Sequence, residues 1–291
     1  MNKYAKPLMT VLLFGLVQMG MVLLVQLAVG FYELLKSLVR ADGSLFSMDT
    51  FTAAVSGNAH GIITLTVILS GLVTVILLAK PMHMLRLPRT FDVRDVHWDK
   101  VLTAVLGCAA GVLALNLLSE QVDLENWDKG AIAGMMGSMT GIFAVGIVGP
   151  VVEEAVFREA LLGGMLRRGV LPRRAILISA LLFGLIHFNP AQVPAACGIG
   201  VLLGIVYWKM NNIVLTSLLH MANNLFCVAQ YHVLGDSAQD FTLTNWLGGS
   251  TVALPVIAFA LVLCAWLVTD FIRNYPEAEI PANPNEASGC I

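Results

Sequence analysis

Long apolar runs alternate with short polar segments along the whole chain. Eight such runs cover about residues 7–32, 60–79, 101–118, 131–152, 175–188, 191–208, 212–230 and 249–271. Most approach the roughly 20 residues that a helix needs to cross about 30 Å of hydrocarbon. The pattern predicts an all-α, polytopic membrane helix bundle of about eight transmembrane helices, in which the run at 175–188 is the shortest.

The composition agrees with lipid as the main solvent of this chain. Hydrophobic residues make up 57% of the 291 residues and charged residues only 12%, against roughly 25% charged residues in soluble domains. We therefore expect a single transmembrane domain over residues 1–272, with its polar motifs in a core at 131–230. The Pro-rich and Glu-rich segment 273–291 is expected to be a disordered cytoplasmic tail.

The positions of the basic residues predict the orientation of the bundle, because Lys and Arg concentrate in cytoplasmic loops. With the N-terminus inside, fourteen of the seventeen basic residues fall on the cytoplasmic side. They are Lys3, Lys6, Lys80, Arg86, Arg89, Arg94, Lys100, Arg158, Arg167, Arg168, Arg173, Arg174, Lys209 and Arg273. This distribution predicts a multi-pass plasma (inner) membrane protein with both termini in the cytoplasm.

Ionisable residues within the apolar runs are few and require a reason, since they are costly in hydrocarbon. Glu153 and Glu154 are followed by Arg158, which lies four positions after Glu154 and can pair with it on one helical face. Glu153 points about 100° away and is left free to hold a water molecule or a metal. A plain structural ion-pair cluster is an equally good explanation of this segment alone.

Two further polar pairs repeat the four-residue spacing. Phe183 and His187 place an aromatic ring beneath an imidazole, and His220 and Asn224 place an imidazole beside a carboxamide. A packing histidine and an interhelical hydrogen-bond pair are the alternative explanations. Counted from the basic residues at the cytoplasmic side, all three sites lie at a depth of about 17 to 21 Å. We therefore expect them to form one constellation.

These three motifs, EExxxR at Glu153 to Arg158, FxxxH at Phe183 to His187 and HxxxN at His220 to Asn224, resemble those of a known family. They are similar in order and placement to the motifs of the CPBP intramembrane proteases, the CAAX prenyl endopeptidase family. The resemblance covers about residues 131–230. It implies an intramembrane endopeptidase, glutamate-dependent or metalloprotease, that acts on a membrane-anchored peptide or protein in the lipid bilayer and binds no nucleic acid.

The resemblance also implies residue roles. Glu153 and His187 would activate a water molecule that attacks the scissile carbonyl, and His220 and Asn224 would donate hydrogen bonds to the developing oxyanion. The supporting residues would be Glu154, Arg158 and Phe183, with Glu154 and Arg158 orienting Glu153. Zinc is a possible cofactor: Glu153, His187 and His220 could supply three ligands and leave a fourth position for water, although the chain has no HExxH pattern.

Two other functions are compatible with the same residues. Glu and His side chains within a membrane can also relay ions, as in a transporter or proton-linked carrier, although no inverted repeat is evident. A non-catalytic member of the family, such as a scaffold or a bacteriocin-immunity factor, is the second alternative.

Overall fold

The computed structural model describes residues 3–39, 47–85, 98–122, 124–127, 130–234 and 241–276. All regular structure in these ranges is helical, which confirms the all-α prediction. The eleven helices of these ranges are α1 (Ala5–Val39), α2 (Met48–Gly57), α3 (Ala59–Ala79), α4 (Trp98–Ser119), α5 (Ala131–Met136), α6 (Met139–Arg167), α7 (Pro172–Leu185), α8 (Val193–Met210), α9 (Ile213–Leu234), α10 (Leu243–Trp246) and α11 (Ser250–Asn274). Most of the predicted tail, from residue 277 onward, lies outside the described residues.

Seven of these helices are long and apolar enough to cross a membrane: α1, α3, α4, α6, α8, α9 and α11. The chain is thus a polytopic membrane helix bundle. The remaining predicted span, 175–188, forms α7, which has 14 residues and rises only about 21 Å. Helix α7 begins with Pro172 in its first turn. After α7 ends, Phe188 adopts a left-handed backbone with φ of 48°, and Pro190 follows.

The predicted span 131–152 is divided differently in the structure. Its first residues form the short helix α5, and α6 starts afresh because the Ser138 side chain accepts a hydrogen bond from the Gly141 N–H. Helix α6 then continues to Arg167. The apolar run alone places the polar motif at the end of a span. In the structure the motif lies in the middle of α6.

Helix α6 contains two π-helical segments, Ala144–Val148 and Ala155–Gly163. Pro150 predicts an interruption in this region, because proline cannot donate the normal backbone hydrogen bond. The first π segment ends just before it, where the Gly149 N–H bonds to the carbonyl of Ala144, five residues earlier. Wide π turns are rare and occur often at functional sites, and here they flank the turn Gly149–Glu154.

Helices α7 and α8 pack closely as an antiparallel pair because α8 offers glycines at the contact. A Cβ atom at Gly200 would lie 2.9 Å from the Ala180 Cα, and one at Gly204 would lie 3.1 Å from an Ile176 methyl group. Leu162 of α6 packs beside the same Gly204. The three helices that follow one another from residue 139 to 210 therefore form one packed unit.

Candidate active site

The turn between the two π segments carries two adjacent carboxylates in different environments. Glu154 is completely buried and forms an ion pair with Arg158, also completely buried, with Nε 3.2 Å from Glu154 Oε2. This is the pairing that the four-residue spacing predicts. The Glu153 side chain is 23% exposed and is the more accessible carboxylate.

The His220 imidazole of α9 lies against both carboxylates. Its Nδ1 is 3.1 Å from Glu154 Oε1, and its Nε2 is 3.7 Å from Glu153 Oε2. An ionised carboxylate only accepts hydrogen bonds, so Nδ1 donates to Glu154. The first and third motifs, 66 residues apart in the chain, therefore meet in one place.

Phe183 connects all three motifs. Its ring lies 4.4 Å from the Arg158 guanidinium carbon, and its centroid is 5.2 Å from that of His187 and 5.5 Å from that of His220. The stacked guanidinium gains a cation–π attraction. Arg158 Nη1 and Nη2 have no hydrogen-bond acceptor within the described ranges, so the ring face is an important partner for this charge.

His187 joins the cluster through Phe183. Its Nδ1 is 2.9 Å from the Phe183 carbonyl oxygen, which can only accept, so Nδ1 carries the proton. In the neutral ring Nε2 then keeps its lone pair. The structure thus brings Glu153 against His220. His187 contacts the cluster through the Phe183 ring and has Nε2 as a hydrogen-bond acceptor.

Asn224 lies one helical turn after His220 and is held by two hydrogen bonds. Its Nδ2 donates to the Val145 carbonyl at 2.9 Å, and its Oδ1 accepts from Asn223 Nδ2 at 3.2 Å. Val145 belongs to the first π segment of α6. A carboxamide nitrogen carries two hydrogens, so one of them is still available for a further acceptor.

The predicted zinc ligands do not form a metal-binding group in this arrangement. Among the described residues, no set of three or more His, Cys, Asp or Glu side chains could hold a metal ion. Glu153 and His220 provide two donors, but a catalytic zinc site usually has three protein ligands. The structure therefore brings together two of the three predicted zinc donors, Glu153 and His220.

A cavity of about 510 Å³ lies beside this site, at the turn between α7 and α8. Its walls are mostly apolar and contain neither Glu153 nor either histidine. The lining residues are Trp127, Leu182, Leu185, Ile186, Phe188, Asn189, Pro190 and Val193. These walls supply almost no polar groups, in contrast to the cluster of carboxylates and imidazoles.

Sequence reasoning missed a second buried polar cluster in α6. Glu159, directly after the EExxxR motif, is 3% exposed and contacts Arg167 and Tyr207. The available signal was a third carboxylate within the motif-bearing core 131–230. Arg167 was predicted only to mark the cytoplasmic side.

Comparison with known proteins supports the resemblance that the motifs predicted. The family model described as type II CAAX prenyl endopeptidase Rce1-like matches residues 136–226. This segment contains all three motifs, and the predicted resemblance to CAAX prenyl endopeptidases is confirmed there.

Two curated relatives are similar to parts of this chain. The chain is 33% identical over 92 residues to the membrane-embedded CAAX protease MroQ of Staphylococcus aureus, an alignment that covers 30% of this chain and 37% of the relative. It is 27% identical over 149 residues to the UPF0177 protein YxdF of Lactococcus lactis, covering 47% of this chain and 78% of the relative. The chain therefore spans well under half of the first relative's length. No solved structure matches the chain.

Proposed function

We propose that this chain is an intramembrane endopeptidase of the CPBP type that hydrolyses peptide bonds close to the membrane anchor of its substrate. The observation that carries the proposal is the His220 imidazole held between the carboxylates of Glu153 and Glu154. Such a group of ionisable side chains within a membrane bundle is expensive unless it serves a purpose. The description of the matching family supports proteolysis as that purpose.

Glu153 would act as the general base. Its carboxylate would take a proton from a water molecule while the water oxygen attacks the scissile carbonyl carbon. His187 Nε2 would accept a hydrogen bond from the same water, since Nδ1 is engaged with a backbone carbonyl. When the carbon–nitrogen bond breaks, the proton on Glu153 would pass to the departing amine nitrogen, and the carboxylate is restored.

His220 and Asn224 would stabilise the negative oxygen of the tetrahedral intermediate. Because His220 Nδ1 donates to Glu154, its Nε2 can donate only when the ring is doubly protonated. In that form the two glutamates, Arg158 and His220 together carry no net charge, which suits a site of low dielectric constant. Asn224 would contribute the amide hydrogen that does not bond to Val145.

Glu154 and Arg158 would position the reacting groups without touching the substrate. Glu154 fixes the orientation of His220 through Nδ1, and Arg158 holds Glu154 while it stacks on Phe183. A histidine orientated by a carboxylate is a recurring arrangement in catalytic sites. This role differs in detail from the predicted one, in which both residues orient Glu153 itself.

Purified protein in lipid nanodiscs, assayed on quenched peptides with and without a lipid anchor, tests the proposal. We expect Glu153→Gln and His187→Ala to abolish cleavage, whereas Glu33→Gln and His232→Ala, both remote from the motifs, should retain the wild-type rate. Cleavage that survives both site substitutions would refute the assignment. Loss of activity with a chelator, reversed by added zinc, would show that a metal takes part and would replace the metal-free scheme.

We also propose that the protein lies in the plasma membrane with both termini in the cytoplasm. The distribution of basic residues supports this orientation. Labelling of single cysteines by a membrane-impermeant maleimide tests this. A cysteine introduced by Lys3→Cys should react only after the cells are opened. Labelling at that position in intact cells would contradict the orientation.

A further inference from the structure

We propose that Glu159, Tyr207 and Arg167 form a clasp that positions Arg158, and through it the Glu154–His220 pair, for catalysis. The clasp comprises these three side chains only. This inference rests on the proposed function, because the positioned residues are those assigned to hydrolysis. None of the three clasp residues belongs to the EExxxR, FxxxH or HxxxN motifs.

The contacts of the clasp are short and sheltered from solvent. The Tyr207 hydroxyl donates to Glu159 Oε2 at 2.5 Å, and Arg167 Nη1 is 3.0 Å from Glu159 Oε1. Arg167 Nη2 also donates to the backbone carbonyls of Glu159 at 3.0 Å and Met84 at 3.4 Å. Tyr207 is completely buried, and the other two side chains are at most 4% exposed.

The clasp holds a helical segment that would not be expected to persist by itself. Glu159 follows Arg158 within the nine-residue π segment Ala155–Gly163, and long π turns are rare in proteins. A return to α-helical winding would rotate Arg158 and Glu159 together about the helix axis. Fixing Glu159 therefore fixes the direction in which Arg158 points.

The clasp also completes a ring of contacts among three helices, α6, α8 and α7. Tyr207 links α6 to α8, and α8 packs on α7 through Gly200 and Gly204. Helix α7 carries Phe183, on whose ring the Arg158 guanidinium lies. The separation of α6 and α7 at the active site is thus set partly by the Tyr207–Glu159 bond.

Gly163 provides an independent way to disturb the clasp. A Cβ atom at this position would lie 2.6 Å from the Tyr207 hydroxyl and 2.8 Å from Arg167 Nη1. Gly163→Ala must therefore displace the hydroxyl that Tyr207→Phe removes, together with Arg167 Nη1. A Cβ atom at Gly20 of α1 would meet no neighbouring atom within 4 Å, and Gly20→Ala is the matched control.

The kinetic test compares kcat and KM of the folded variants on a cleavable peptide. We expect Tyr207→Phe and Gly163→Ala each to lower kcat by roughly tenfold or more with little change in KM, because small displacements of reacting groups are costly. Glu159→Gln, which can still bond to both partners, should retain most of the activity that Glu159→Leu loses. Tyr32→Phe, at an exposed position of α1, should behave as wild type.

A second test needs no activity and separates this inference from the proposed function. Tyr207→Phe and Arg158→Leu are combined, and the melting temperatures of the single and double variants are compared. The clasp links Tyr207 to Arg158 through Glu159 and through the packing of the three helices, so we expect the losses to be clearly non-additive.

Additive losses of melting temperature would overturn the clasp. An unchanged kcat for Tyr207→Phe would do the same, provided that the wild type in that preparation cleaves peptide. A wild type that cleaves no peptide would count against the proposed function alone, and the melting experiment would then decide the inference.

Discussion

Arg158→Leu is the substitution whose effect the structure determines most closely. Glu154 is completely buried, and the substitution removes the guanidinium nitrogen 3.2 Å from its carboxylate. Removing one partner of a buried ion pair costs about 3 to 5 kcal/mol of stability, because the remaining charge is uncompensated. Loss of the guanidinium contact with Phe183, at 4.4 Å, adds up to about 2 kcal/mol.

A second substitution separates the cost of leaving Glu154 unpaired from the loss of the contact between Arg158 and Phe183. In the Glu154→Gln and Arg158→Leu double variant no unpaired charge is left, and the glutamine oxygen can still accept from His220 Nδ1. The unpaired Nη1 and Nη2 groups are removed as well. We therefore expect the double variant to lose only about 2 kcal/mol, less than either single variant.

Unfolding by SDS in mixed micelles measures the four free energies of this cycle. Each single variant is expected to lose about 3 kcal/mol or more and the double variant about 2 kcal/mol, so the expected coupling between the two positions is at least about 4 kcal/mol. Arg173→Leu, an exposed arginine at the start of α7, is the matched control and should change stability by less than about 0.5 kcal/mol. Additive losses at Glu154 and Arg158 would refute the reasoning that the pair is an energetic unit.

Three further outcomes are expected. Gly71→Ala would place a methyl group 2.8 Å from a Val152 methyl, so it should lower stability by about 1 to 3 kcal/mol and reduce cleavage. Val152→Ala in the same chain should restore stability and cleavage, and a failure to restore them would contradict this contact. Glu120→Gln removes a carboxylate that accepts hydrogen bonds from Leu243 N–H and Thr244 N–H at the start of α10. It should lower the free energy of unfolding by about 1 to 2 kcal/mol and leave kcat unchanged, whereas a changed kcat would mean that this contact contributes to the site. His187→Asn should lower kcat much more than KM, because the side chain is assigned to the attacking water, and an effect on KM alone would assign it to substrate binding.

The sequence by itself determined the class of fold and the positions of the motifs. Lipid leaves backbone groups no partner except within a helix, so apolar runs near 20 residues translate directly into spans. Within one helix the direction of each side chain follows from the winding, so the pairing of Glu154 with Arg158 could be predicted from the four-residue spacing.

Only the tertiary structure decided how the helices are turned toward one another. His220 lies between both glutamates, and His187 reaches the cluster through Phe183. Both placements depend on helix packing, which the spacing of residues along the chain does not determine. The π segments of α6 could not be predicted from the sequence either, because they are stabilised by distant partners such as Tyr207. They also shift the direction of every later side chain. Regular α-helical winding follows from neighbouring residues, whereas the π segments and the mutual rotation of helices depend on contacts between residues far apart in the chain.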